Sequence, residues 1–283
     1  MARRLPTHPG LVWLSEVESD LDEMIEQERQ RQAHLTEEQR TQERATQQGQ
    51  TYRIYKDDPV AWAYDMIDWP DGQRLAPYQE EILSQLSFKK RVAFRGPHGS
   101  GKSTIMSIAV LWFALTRDGE DWKIPTTASA WRQLTKFLWP EIRKWSRRLR
   151  WNKLARDPFD RRSELLMTSL KLTTGEAFAM ASDMPENMEG AHADHLLVPF
   201  DEAKAIPDGT FDALEGAFAG TGETMALAGS TPGEPQGRFY DIHRRASGTE
   251  DWWVRHITME EAIAAGRMSR EWAEQRARQW GTG

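Results

Sequence analysis

The chain has 283 residues, 39% of them hydrophobic, and a formal charge of −6. That length and content suit one large α/β domain or two small ones with a packed core. No cysteine is present, which excludes a disulfide framework and a thiolate metal site. The start Met1-Ala-Arg-Arg-Leu-Pro-Thr-His8 lacks an apolar signal region, and the longest apolar run, Ile105 to Leu115, is too short to span a bilayer. An intracellular protein with no membrane segment is expected, and any nucleic-acid contact must come from a local basic patch, because the net charge is negative.

From the start, Ser15-Glu-Val-Glu18 has the form of a capping box, followed by apolar residues at helical spacing. Beyond Ile25 the chain becomes rich in Glu, Gln and Arg with almost nothing to bury, so residues 1–51 are expected to form a polar helical arm or a partly disordered leader. The globular part begins at 52. Asp58-Pro59 predicts a helix through Trp62, Met66 and Ile67, and Ala76-Pro-Tyr-Gln79 opens an amphipathic one with Ile82, Leu83 and Leu86 inward. Gln79 stands seventeen residues before a glycine-rich loop, where its amide can match the donor and acceptor of an adenine edge; an exposed glutamine at a helix start is the alternative.

The loop itself is Gly96-Pro97-His98-Gly99-Ser100-Gly101-Lys102-Ser103, which fits G-x-x-x-x-G-K-[ST]. A β-prone run, Arg91 to Arg95, precedes it, and an apolar helix beginning at Thr104 follows. Glycines let backbone N–H groups close around a phosphate, the helix N-terminus adds positive potential, Lys102 reaches the outer phosphates, and Ser103 offers a hydroxyl to Mg²⁺. This is a Walker A, or P-loop, cradle.

Trp122 to Ser129 reads as a second strand, followed by a helix with Leu134, Phe137, Leu138, Ile142 and Trp145 on its apolar side. Between Arg132 and Arg162 eleven Lys/Arg face three acids, a local net of +8. Trp139, Trp145 and Trp151 are interleaved with these charges, which suits either a phosphate-contacting surface or a solvated face over a Trp-lined core. Glu164 to Ala181 alternates with a turn at Thr174-Gly175, predicting a hairpin or two sheet-edge strands.

His195-Leu-Leu-Val-Pro-Phe-Asp201-Glu202 is an apolar strand ending in two carboxylates, the form of a Walker B segment. Asp201 is expected to hold Mg²⁺ and Glu202 to act as general base toward the attacking water. Pro199 interrupts a central strand and predicts a local bulge. Thr224 to Pro232 gives another strand, which ends in Ser230 and Thr231 where they could sense a γ-phosphate; Trp252 to Ile257 gives one more, and Met259 to Trp280 a closing helix. The pattern predicts a three-layer α/β P-loop NTPase of the ASCE, RecA-like type with a mainly parallel sheet.

Taken together, Pro77-Tyr-Gln79, Arg95 to Ser103, Glu189-Gly-Ala-His192, Phe200-Asp-Glu-Ala203 and Gly229-Ser-Thr-Pro232 resemble the ATPase domain of tailed-phage terminase large subunits. The resemblance covers residues 52–283. It implies an ATP- and Mg²⁺-dependent motor that packages double-stranded DNA into a procapsid in the host cytoplasm, assembled as a homo-oligomer with a portal protein and a small terminase subunit. It places Gln79 in the adenine motif, Asp201 and Glu202 as the metal and water-activating pair, and Ser230-Thr231 in the motif that couples hydrolysis to movement. The nucleotide site then comprises Gln79, Arg95, Gly96, His98, Gly99, Ser100, Gly101, Lys102, Ser103, Thr104, Ser230 and Thr231. Two departures stand out. The family's C-terminal nuclease domain is not expected in a chain that stops at Gly283, and the position where some relatives carry an arginine finger is Glu189. Two other readings are a nucleic-acid-dependent ATPase such as a helicase, which would need a second motor domain, and a P-loop kinase or nucleotide switch, which would not need Glu202 or the basic stretch.

Overall fold

A computed structural model describes residues 53–154, 156–181, 193–220 and 222–280. The expected leader over 1–51, with its capping box at Ser15, and the Glu189-Gly-Ala-His192 motif lie outside the described residues. The described strands are β1 (Arg91–Arg95), β2 (Trp122–Ala128), β3 (Ser169–Lys171), β4 (Gly175–Ala181), β5 (His195–Asp201), β6 (Glu223–Ser230) and β7 (Trp253–His256). They form one sheet in the order β3-β4-β2-β5-β6-β1-β7, parallel throughout except for the β3–β4 pair. That antiparallel pair is the hairpin expected at Thr174-Gly175, with β3 at the sheet edge.

The central strands read as unbroken apolar runs because both faces of the sheet are covered. Successive residues of β1, β5 and β6 point to opposite layers. Val92, Phe94, Leu197, Met225 and Leu227 pack on one side with α1 (Pro59–Met66), α2 (Pro77–Lys89), α3 (Lys102–Arg117) and α4 (Trp139–Ser146). Ala93, Leu196, Val198, Phe200, Ala226 and Ala228 pack on the other with α5 (Asp208–Phe218) and α6 (Arg238–His243). The result is the three-layer α/β architecture. Asp58 caps α1 by accepting from the Ala61 N–H at 2.9 Å, and Ile82, Leu83 and Leu86 of α2 are fully buried, as their spacing predicts. At the strand ends remote from the P-loop, buried Arg117 forks onto Glu223 at 2.9 and 3.0 Å, and Glu223 also meets His195 at 2.9 Å, tying α3, β5 and β6 together.

Three local expectations are corrected. The helix predicted through Leu134 and Trp145 is a short turn (Trp131–Gln133), a π-helical turn (Leu134–Leu138) and then α4. Pro140 lacks the N–H that would continue the ladder, and Phe137 is left 53% exposed instead of inward. The closing helix is two helices, α7 (Met259–Ala264) and α8 (Arg270–Trp280). Gly266, with φ of +66°, ends α7: its N–H bonds the Ile263 carbonyl and the Arg267 N–H bonds that of Ala262, each at 2.9 Å.

Pro199 sits in a gap, not a bulge. β2 and β5 pair at Trp122–His195 and Lys123–Leu196, miss the middle, and pair again at Thr127–Phe200 and Ala128–Asp201 in unchanged register, so no residue is inserted. Pro125 of β2 lies in the same gap, so both strands lack a donor there. On its other side β5 pairs β6 without interruption.

Candidate active site

β1 delivers the chain to the loop at Gly96, whose N–H bonds the Ser230 carbonyl at 3.1 Å. A side chain at Gly96 would bring its Cβ to 2.8 Å from Ile257 Cβ. Gly99 and Gly101 take left-handed backbone at φ of +82° and +79°, and Gly101 starts α3 without a side-chain cap. The N–H groups of Gly99, Gly101, Lys102 and Ser103 accordingly make no bond to other described residues, and they are gathered at a helix N-terminus. A Cβ at Gly101 would stand 2.5 Å from Gln79 Nε2, so the loop and the start of α2 are fitted to one another.

That fit gives the amide of Gln79 partners within its own chain. Gln79 is fully buried; its Oε1 accepts from the Ala76 N–H at 2.9 Å and its Nε2 donates to the Gly101 carbonyl at 3.2 Å. The amide is occupied by its own chain and braces the loop, so in this geometry it does not present a free edge to adenine. Tyr78 adds a second brace, donating its hydroxyl to the Ser100 carbonyl at 2.9 Å. Arg267, which sequence reasoning missed, donates to the Arg74 carbonyl at 2.7 Å and to Gln79 Oε1 at 3.4 Å. Ser100 is buried with Oγ on the Pro97 carbonyl, while His98 is exposed. Thr104 turns its hydroxyl to Glu141 at 3.1 Å, away from the loop. Arg95 makes no side-chain hydrogen bond among the described residues, and it lies toward α6 beside Lys204 and His243.

Lys102 is only 8% exposed and donates to the carbonyls of Gly96 at 3.2 Å and Pro97 at 2.9 Å. Burial lowers its pKa, while the charges of Glu202 and Asp201 act to raise it. Those carboxylates come from the end of β5, where Asp201 is in register with Gly229 of β6. Asp201 is 2% exposed, and Gln133 Nε2, another residue without a sequence signal, donates to its Oδ2 at 3.3 Å. Glu202 leaves the strand in left-handed backbone, φ 50° and ψ 47°, a conformation that costs a non-glycine residue on the order of 1–3 kcal/mol. The turn directs its carboxylate to Ser230, whose Oγ donates to Oε2 at 2.9 Å, and to Thr231 at 3.4 Å. The P-loop, the Asp-Glu pair and the Ser-Thr pair are therefore brought together at the C-terminal ends of β1, β5 and β6.

Burial, helped by the neighbouring charge of Glu202, raises Asp201 from an ordinary 3.8 to about 6. The folded chain then keeps a proton at pH values where the unfolded chain has lost it. Stability contributed by this group is present in acid and is lost as pH rises from about 4 to 6, a difference of about 3 kcal/mol. Asp201→Asn is expected to be more stable than the parent at pH 7 and to match it near pH 4. Urea unfolding with a chelator present measures this, and equal stabilities at pH 7 would show that Asp201 carries no burial penalty.

In sequence, the chain is 31% identical over 196 residues to the probable terminase large subunit of Enterobacteria phage P7, an alignment covering 65% of this chain and 38% of that protein. No family model matches. In fold, the large terminase ATPase domain of Thermus phage P74-26 aligns with a TM-score of 0.51 at 19% identity, over 75% of this chain and 90% of that one. The fold is that of a phage large-terminase ATPase domain. The large terminase of bacteriophage HK97 aligns with a TM-score of 0.57 at 16% identity, over 81% of this chain and 52% of that one. The alignments thus span well under half of the phage P7 protein and about half of the HK97 terminase. A large terminase from a thermophilic bacteriophage, solved in complex with ATP-gamma-S, aligns with a TM-score of 0.52 at 15% identity, over 73% of this chain and 50% of that one.

Against this terminase fold the basic stretch resolves into two groups. Arg148 and Arg150 donate to the carbonyls of Asp68 and Asp65, both at 3.3 Å; Lys153 pairs with Asp65, Lys144 with Glu141 at 2.9 Å and Arg156 with Glu164 at 2.5 Å. Arg143 reaches the Met167 carbonyl. Trp139 and Trp145 are buried in the core, while Trp151 is partly buried against it. Arg132, Lys136, Arg147, Arg161 and Arg162 are exposed, and their side chains make no hydrogen bond or ion pair among the described residues. Arg147 and Arg161, with Arg143, Trp151 and Phe159, line an open cavity of about 540 Å³.

Proposed function

We propose that this chain is the ATP-hydrolysing motor domain, over residues 52–283, of a machine that drives double-stranded DNA into a viral procapsid. The observation that carries the reading is the convergence of a P-loop with Asp201 and Glu202, the latter held by Ser230 and Thr231 from the strand between β1 and β5. Terminase likeness in both sequence and fold favours it over the helicase and kinase alternatives.

Among the described residues no three His, Cys, Asp or Glu stand together, so no all-protein metal cage is present. Ser103 and Asp201 supply one hydroxyl and one carboxylate oxygen, a hard-oxygen set that suits Mg²⁺ completed by phosphate and water. When bound, that ion neutralises charge on the outer phosphates. The loop N–H groups bind phosphate oxygens, Lys102 leaves its loop carbonyls for the outer phosphates, and Glu202 accepts a proton from the attacking water. Duplex DNA is assigned to the unpaired cations Arg132, Lys136, Arg147, Arg161 and Arg162. A portal protein, a small terminase subunit and further copies of this chain complete the assembly in the host cytoplasm. Magnesium-dependent ATP turnover by the purified chain, with and without duplex DNA, tests the reading, and absence of turnover in both would overturn it.

The DNA assignment has its own test. Replacing Arg147, Arg161 and Arg162 together with Gln is expected to lower duplex affinity regardless of sequence and to flatten the slope of log affinity against log salt by about 2–3, since each lost contact releases about one counterion fewer. Arg148→Gln and Arg150→Gln are not expected to change that slope, because their guanidinium groups bond the chain itself. The assembled complex is the proper sample, since a ring multiplies weak contacts. An unchanged slope in the triple variant returns this stretch to a solvated surface.

A further inference from the structure

Glu202 is held by more than the strand that carries it. The turn Ala203–Ala205 places Lys204 so that Nζ donates to Thr231 Oγ1 at 2.7 Å and to the Pro232 carbonyl at 3.3 Å. Its aliphatic stem lies over Gly233, where any Cβ would stand 2.7 Å from Lys204 Cδ. An ammonium can only donate, so the Thr231 oxygen must accept from it, and the single hydroxyl proton of Thr231 is then turned to Glu202 Oε2 at 3.4 Å. The Ser230 hydroxyl donates to the same oxygen at 2.9 Å. Two donors converge on Oε2, while Oε1 makes no hydrogen bond among the described residues. The positive charge of Lys204 also reaches Lys102, whose ammonium it disfavours.

We propose that Lys204 is a positioning residue for ATP hydrolysis: by fixing the Thr231 hydroxyl it makes Glu202 Oε1 the oxygen that receives the water proton. This rests on the ATP-hydrolysis reading above. In the step it serves, the water oxygen bonds the γ-phosphorus as its proton passes to Oε1. The bond from that phosphorus to the bridging oxygen breaks with its electron pair, which leaves on ADP. Lys204 touches neither the water nor the phosphate in this scheme and acts through Thr231.

The test is steady-state ATP hydrolysis by the full chain and by Lys204→Gln, Lys204→Arg, Thr231→Val and the double variant Lys204→Gln/Thr231→Val, with Lys102→Ala as the blank. Lys204→Gln is expected to lower kcat about 10- to 100-fold with KM for ATP within about threefold, the signature of an interaction needed in the chemical step. Lys204→Arg keeps a cationic donor and restores most of the rate. The double variant should be no slower than Thr231→Val alone within about twofold, because both substitutions break one chain of contacts. Lys204 is exposed, so the thermal midpoints of Lys204→Gln and Lys204→Arg should agree with that of the native chain and exclude unfolding as the cause. Native kcat in Lys204→Gln, a rise in KM alone, or multiplying losses in the double variant would each overturn the role. Turnover of the native chain no faster than the blank would instead overturn the hydrolase reading, and the role of Lys204 with it.

Discussion

Lys102→Ala is expected to abolish ATP hydrolysis and to weaken ATP binding by about a hundredfold or more. The magnitude follows from burial: a charge that bonds phosphate where water is largely excluded is worth about 2–5 kcal/mol when its partner is lost. Lys102 is 8% exposed, with its ammonium on the carbonyls of Gly96 and Pro97. Burial disfavours its charged form, so removing it relieves a penalty, and the variant should unfold no earlier than the parent. Lys102→Met, which keeps the apolar stem, is the companion that separates lost charge from lost packing. Calorimetric titration with a slowly hydrolysed ATP analogue, alongside turnover, measures both effects. Full activity in either variant would overturn the cradle assignment.

Glu202→Gln divides binding from chemistry. The amide oxygen can still accept from Ser230 and Thr231, so the geometry at the end of β6 is kept, but it cannot take a proton from water. Turnover is expected to fall about 10²- to 10⁴-fold, the range a positioned general base contributes, with nucleotide affinity retained. Asp201→Asn should differ, weakening the dependence on Mg²⁺ concentration because a charged ligand is replaced by a neutral one. Single-turnover kinetics with a Mg²⁺ titration distinguish the two. A native rate in Glu202→Gln would move the base elsewhere.

What could be read ahead of the structure was whatever is written in consecutive residues. The loop from Gly96 to Ser103 and the strand ending in Asp201-Glu202 each carry their chemistry in a short run, whereas the strand order that sets β6 between β1 and β5 is not written in any one run. Single residues recruited from afar left no pattern: Gln133 reaches Asp201, Lys204 reaches Thr231 and Arg267 reaches Gln79 only once the sheet has formed. Charge counting failed in a different way. It registers Arg148 and Arg150 equally with Arg147 and Arg161, although backbone carbonyls of Asp68 and Asp65 occupy the first pair. Gln79 lies beside the loop, and that its amide bonds Ala76 and Gly101 is a contact no composition or spacing announces. The breaks at Gly266 and before Pro140 were misses with a visible signal, since glycine is a common helix stop and proline interrupts a helix.

The gap at Pro125 and Pro199 has a mechanical meaning. A sheet resists sliding between neighbouring strands through its hydrogen bonds, and the seam between β2 and β5 has lost the middle of its ladder while β5 and β6 keep theirs. The sheet therefore has a compliant line that separates β5, β6 and β1 from β2, β4 and β3. At the end of that line nearest the nucleotide cleft, stiffness returns at two points, the Ala128–Asp201 pair and the Gln133–Asp201 hydrogen bond. The basic stretch leaves from β2, on the far side of the seam. The segment between Arg132 and Arg162 is held apart from that seam by α3 and α1, through Glu141 on Thr104 and through Arg148 and Arg150 on the carbonyls of Asp68 and Asp65.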